Sequence, residues 1–253
     1  MNVITDPLFY PLAVIAVTAL GLGKGGFAGV GVIATPLLAT ILPPLQAAAI
    51  LLPILIVQDA ISVWVYRHDW SAWHLKVMLP GGLLGIGIAW SLATQVSDAA
   101  VRLVIGLIGV AFALNAWLGP KSLEAKPRSV PAGVFWGTVA GFTSTLSQAG
   151  GPPFQVYVLP QRLPKLTLVG TYTIYFAVLN WLKIGPYFAL GQFSTATLAS
   201  SLLLLPVAVL ANFLGIWLVR RTPIGLFYQI AYVLVFLISL ELIRSGATTL
   251  VRG

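Results

Sequence analysis

The chain has no cysteine, and only two histidines and six acidic residues among 253 positions. Without cysteine it forms no disulfide and offers no thiolate to a metal. Both histidines, His68 and His74, fall in one polar stretch between apolar runs. No Ser–His dyad is therefore expected inside an apolar segment, and no second aspartate joins Asp59 there for carboxylate-pair proteolysis. Charge is scarce too. Charged residues are 8% and hydrophobic residues 58% of the chain, against about 25% and 45–50% in water-soluble domains. That leaves too little polar surface to cover a soluble fold.

What is present is a series of apolar runs: Phe9–Leu22, Ala47–Val65, Val77–Ala93, Val101–Leu118, Val130–Leu146, Leu166–Ile184, Ala196–Val219 and Gly225–Leu240. A helix crosses a hydrocarbon core of about 30 Å in roughly 20 residues, and soluble helices need a polar stripe that these runs lack. An all-α integral membrane protein is expected, with about eight full spans and the lipid bilayer as its main partner. The net charge of +8 does not imply nucleic acid, because the basic residues sit in short turns rather than along one face. Before Phe9 there is only Asp6 and no Lys or Arg, so the first run is expected to be a retained span rather than a signal peptide.

The basic turns set orientation through the positive-inside rule. If the segments around Gly25 and Gly150 turn within the membrane, one side collects Arg67, Lys76, Lys121, Lys126, Arg128, Arg162, Lys165, Arg220 and Arg221, and the other only Arg102, Arg244 and Arg252. The first side is expected to be cytoplasmic and the N-terminus extracytoplasmic. Trp64, Trp90, Trp117, Trp136, Trp181 and Trp217 lie near span ends, where indole prefers the interface.

The most polar stretch, GPKSLEAKPRSVP from Gly119, lies near the middle of the chain. It divides a first transmembrane repeat (1–118) from a second (131–253), with 119–130 as a cytoplasmic linker. Each half carries Gly-Phe, small and polar residues, and then proline: Gly25–Gln46 and Ala140–Gln161. The Gly26/Gly141 match gives an offset of 115 residues. One half begins outside and the other inside, so the repeats are expected to be inverted, a recurring plan of secondary transporters with a midplane site between the halves.

Helix breaks in hydrocarbon must face protein, water or ligand. Breaks are expected at Gly21–Gly26 and at Gln148–Pro153, with Pro36, Pro152 and Pro153 as helix-breaking residues. Half-helices that follow such breaks present free N–H groups and a positive dipole end to an anion; close helix packing is the competing use of small residues. The expected substrate-binding residues are Lys24, Gly25, Gly26, Ser147, Gln148, Gly150 and Gly151. An ionisable group at the depth of Lys24 is a functional candidate, with snorkelling to an interface as the alternative. Asp59, beside Gln58 and matched in the second half by Asn180, either supplies H⁺ or Na⁺ coupling or pairs with Lys24 or a tyrosine hydroxyl. Tyr172 and Tyr175 either line the cavity or pack the core. Lys183 and Glu241 are expected to snorkel from span ends. The string GLGKGG is no phosphate loop, since no Ser or Thr follows the lysine and no strand precedes it.

These paired Gly-rich hairpins, with Gly-Phe and downstream proline in two halves around a polar linker, resemble the TauE/SafE family over nearly the whole chain. The resemblance implies a bacterial inner-membrane permease for sulfite, thiosulfate, sulfoacetate or related anions, usually exporting, with no metal or organic cofactor and no enzymatic activity. The second copy lacks a lysine at the position of Lys24, so symmetrical contacts to the anion are not expected. An anion channel or carboxylate permease is the alternative, an intramembrane enzyme is disfavoured, and a homo-oligomer stays open.

Overall fold

Runs of Leu, Ile, Val and Ala with few breakers fold as helices, and the breakers mark where those helices stop. In a computed structural model the described residues are 8–27, 30–38, 41–42, 44–92, 97–118, 125–189, 191 and 193–252. They form α1 (Phe9–Gly25), a 3₁₀ turn (Val30–Ile33), α2 (Ala34–Leu38), α3 (Pro44–Tyr66), α4 (Ala72–Leu92) and α5 (Asp98–Leu118). The second half holds α6 (Val130–Ser147), α7 (Gly151–Val158), a 3₁₀ turn (Leu159–Gln161), α8 (Lys165–Ala189), α9 (Thr195–Arg221) and α10 (Ile224–Arg252). No strand occurs among the described residues. Of the linker, 119–124 lie outside them; Ala125 to Ser129 are irregular, and the Lys126 N–H donates to Pro160 O at 3.0 Å.

Five helices are long and apolar enough to cross a membrane: α3, α4, α5, α9 and α10. Of the remaining long elements, α1 has 17 residues, and α6 and α8 carry buried polar side chains such as Thr143, Ser144, Thr173, Asn180 and Lys183. Those side chains lower the apolarity of both helices.

The main packed pairs are α4 with α6, α5 with α10, α1 with α9, and α3 with both α8 and α9. α1 and α9 run parallel at very close range: a Cβ on Gly21 meets Ala211 Cβ at 2.5 Å, and one on Gly25 meets Asn212 O at 2.6 Å. α4 and α6 also run parallel, with Gly137 against Met78 and Gly141 against Gly82. Small residues four apart let two backbones touch, the interhelical packing favoured in lipid. α3 and α8 run antiparallel, as do α5 and α10: Asp59 meets Asn180 while Tyr66 meets Gly170, and Gly106 meets Ser239 while Gly246 meets Ala99.

The glycine run in α1 thus differs from expectation. The helix continues through Gly25, and the break begins at Gly26, whose φ of 142° suits only glycine. Gly26 N–H donates to Gly23 O and Phe27 N–H to Leu22 O, a Schellman-type stop. The second break falls where expected. Gln148 closes α6 in the left-handed region at φ 55°, and its N–H and that of Ala149 both reach Thr143 O.

Candidate functional site

Both chain segments that follow the breaks turn back against the helix they came from. Gly31 lies on Ala19 and Leu20 of α1, and Gly150 on Ala140 and Ser144 of α6. Between them is a small cavity of about 50 Å³, walled by Gly23, Lys24, Gly31 and Thr35 on one side and Ser144, Gln148, Gly150 and Gly151 on the other. Leu51 and Leu55 of α3 and Tyr172, Phe176 and Asn180 of α8 close it. A single water needs about 10–15 Å³ by this measure, so the space suits a few waters or one compact oxyanion.

A chain of polar contacts runs beside this cavity. Lys24 Nζ donates to Asp59 Oδ1 at 2.5 Å, and Asn180 Nδ2 donates to Asp59 Oδ2 at 2.7 Å. Lys183 Nζ donates to Asn180 Oδ1 at 3.1 Å, Ser144 Oγ at 2.8 Å, Ser144 O at 3.0 Å and Gln148 Oε1 at 3.2 Å. Asp59 and Lys183 are 0% exposed and Lys24 is 7% exposed. With all three ionised, two cations face one anion. Lys24 also lies 6.0 Å from the Phe176 ring centroid. The Gln148 Nε2 atom is buried and has no hydrogen-bond partner, a donor left for a ligand.

The expected site residues divide as follows. Lys24, Gln148, Gly150, Gly151, Asn180 and Tyr172 meet at the cavity, and Asp59 bridges two of them. Lys24 does not snorkel, and Asp59 takes the pairing expected as one of its two readings. Gly25 and Gly26 are absent from the lining: Gly25 packs on α9 and its carbonyl accepts from Tyr66 Oη at 2.6 Å. Tyr175 is core, donating to Gly137 O at 2.8 Å. Gln58 turns away, donating to Ala208 O at 3.0 Å. Pro152 and Pro153 open α7, where their missing N–H groups cost nothing. The side chains of Ser147 and Pro36 lie outside the described residues, although their backbones belong to α6 and α2.

Two expectations are corrected. Lys183 does not snorkel; it is fully buried, held by the acceptors named above. His74 is not a loop residue but lies in the first turn of α4, buried between Ser71 Oγ (2.7 Å) and Gln161 Oε1 (2.8 Å). Lys183 was legible as the one cation three positions beyond Asn180, on the same helix face. Thr35, Leu51 and Leu55 gave no signal beyond lying in apolar sequence.

An apolar helical bundle with a small central cavity that has a buried lysine and several polar side chains in its wall has the architecture of a membrane transport protein. Residues 13–242 match the family model described as Sulfite exporter TauE/SafE, and the chain belongs to that family of multi-pass membrane transporters. Neither a curated protein nor a solved structure matches it.

Proposed function

We propose that this protein is a secondary transporter that exports a small anion, sulfite or a related compact sulfur anion such as thiosulfate or sulfoacetate, across a bacterial inner membrane. The observation that carries the reading is the small cavity between the two breaks, which has Lys24 in its wall and is lined by Gln148, whose amide donor is unpartnered. An ionisable group is costly at membrane depth and persists there for a purpose. The volume of about 50 Å³ favours sulfite over the longer organosulfonates.

Inverted repeats fit the contacts. Lining residues pair across the halves at a nearly constant separation: Lys24 with Ser144 and Gly31 with Gly151 (144 − 24 and 151 − 31 are both 120), and Leu51 with Tyr172 and Leu55 with Phe176 (both 121). Asp59 and Asn180 keep the same spacing (180 − 59 = 121). Exchanging the halves turns the α4–α6 pair into α9–α1 and the α3–α9 pair into α8–α4, all of which are packed. Matched helices α3 and α8 run antiparallel, as do α5 and α10, as inversion requires. On this pairing Gly21 rather than Gly26 corresponds to Gly141, five residues from the Gly-Phe match at 115. On this plan α1, α6 and α8 also run through the membrane, eight long helices in all, and the shorter α2 and α7 run back beside α1 and α6 toward the ends where those helices began.

Asp59 is the coupling residue in this reading, releasing Lys24 when it takes up H⁺ or Na⁺. The experiment is thermal-shift binding on purified protein with sulfite, thiosulfate, sulfoacetate and acetate, followed by sulfite efflux from proteoliposomes. Sulfite is expected to stabilise the protein, by about 2.7 kcal/mol at a hundredfold excess over Kd, and an outwardly directed proton or sodium gradient to speed efflux. Asp59→Asn should bind sulfite but ignore the gradient. If no anion in the panel shifts the melting temperature, the reading fails.

A further inference from the structure

A lysine behind a cavity wall can act on the solute without touching it, by deciding which atoms of the wall face inward. Lys183 is not itself in the lining, yet the three side chains it holds, those of Ser144, Gln148 and Asn180, all are. Each of the three is amphoteric: a hydroxyl or carboxamide can present either a donor or an acceptor. An ammonium has N–H groups only, so whatever it contacts must turn an oxygen toward it.

The orientation is fixed from both ends at Asn180. Asp59 is acceptor-only when ionised, so Nδ2 must face it and Oδ1 must face Lys183, at 2.7 and 3.1 Å respectively. At Gln148, which lines the chamber, Oε1 is held at 3.2 Å and Nε2 is left buried without a hydrogen-bond partner. At Ser144, Oγ accepts from Lys183 at 2.8 Å, which directs the hydroxyl hydrogen away from the ammonium.

We propose that Lys183 is the positioning residue that sets the chamber's polarity: by engaging the oxygens of Ser144, Gln148 and Asn180 it makes that wall donor-only and so selective for oxyanions. Lys24 supplies the charge in the lining and Lys183 supplies the orientation from behind. The two lysines stand at reciprocal places in the halves. Ser62 Oγ donates to Lys24 O at 3.0 Å, as Lys183 Nζ donates to Ser144 O at 3.0 Å. Ser62 and Lys183 are themselves 121 apart (183 − 62). One repeat therefore keeps its lysine on the hairpin-bearing helix and the other keeps it on the helix that follows. This explains how the second half handles an anion with serine where the first has Lys24.

The inference rests on the transport reading, and a double-mutant cycle separates the two. Sulfite affinity is measured by thermal shift and calorimetry on purified full-length wild type, Lys183→Gln, Gln148→Met and the double variant. A donor to a charged ligand is worth about 10- to 100-fold, so each single change is expected to weaken binding at least about tenfold. The double variant should be little worse than Lys183→Gln alone, because an unheld amide no longer offers a fixed donor. Lys183→Arg, which keeps a donor-only cation, should retain binding. Losses that simply multiply, or unchanged affinity in folded Lys183→Gln, overturn the role of Lys183. A wild type that binds no anion sinks the transport reading instead. Should Lys183→Gln not fold, Gln148→Glu replaces it: this change leaves the ammonium an oxygen but removes the amide N–H. Loss of sulfite binding at an unchanged unliganded melting temperature is then expected, and retained binding overturns the proposal.

Discussion

The Lys24–Asp59 pair lies in a setting where removing one partner is worse than removing both. The side chains are 9% and 0% exposed, so a lone survivor is a buried uncompensated charge, costing about 3–5 kcal/mol. Lys24→Met should therefore lower stability by that order. Lys24→Met combined with Asp59→Asn should recover most of it, because asparagine still offers an oxygen to Asn180. Anion binding should stay lost in the double variant. Melting temperature and sulfite affinity measured on the same samples separate the effects, and a double variant that binds sulfite would remove Lys24 from the site. Asp59, Gln148 and Lys24 were legible because polar residues are rare in such runs. The apolar half of the wall was not, since nothing in sequence tells the cavity-facing Leu51 and Leu55 from core Leu52 two helix faces away. Lys183 was visible but misjudged: its sequence distance from a span end says nothing about which face it takes.

At the scale of elements, glycine does two jobs in this chain, and only coordinates separate them. Gly21 and Gly25 are contact surface between α1 and α9, whereas Gly26 is a true stop with positive φ. Composition alone marks all of them as breakers, which is why the expected break came early while the α6–α7 break, fixed by Pro152 and Pro153, was placed correctly. The distinction has a measurable consequence. A Cβ at Gly25 meets Asn212 O and Gly215 Cα at 2.6 Å, while one at Gly87 on α4 meets nothing within 4 Å. Gly25→Ala should force the α1–α9 pair apart at about 1–3 kcal/mol, the usual cost of overpacking. Gly87→Ala should be neutral or gain about 0.5–1 kcal/mol from reduced backbone entropy. Thermal melts in one detergent test the contrast, and equal shifts for the two variants would contradict the packing assigned here.

For the whole molecule, the helix directions sort the charges without reference to hydropathy. Tyr66 Oη reaches Gly25 O, Gly26 lies against Val219 and Val169, and Lys165 Nζ donates to Val219 O and Thr222 O at 2.6 Å. The C-terminal ends of α1, α3 and α9 and the start of α8 therefore share one end of the bundle. Arg128, stacked over Trp73, brings the start of α6 to the same end. Arg67 and Arg221 cover Trp64 and Trp217 there, at 4.3 and 4.7 Å from the rings, the amphipathic pairing suited to a headgroup layer. Arg102 and the Arg244–Glu241 pair lie toward the opposite end. Loop charge alone predicted this grouping, because a turn between two spans has only two sides to choose from. Its sign follows from the positive-inside rule, so the Arg67 end should face the cytoplasm. The absence of cysteine makes the chain its own background for testing this. Single cysteines at His68, in the exposed α3–α4 turn, and at Ser97, exposed at the start of α5 on the other end, would be probed on intact cells with a membrane-impermeant maleimide. Ser97→Cys should label at once and His68→Cys only after permeabilisation. The reverse pattern would turn the molecule over and make the recess of about 910 Å³ lined by Lys126, Arg162 and Trp136 an entrance from outside rather than an approach from the cytoplasm.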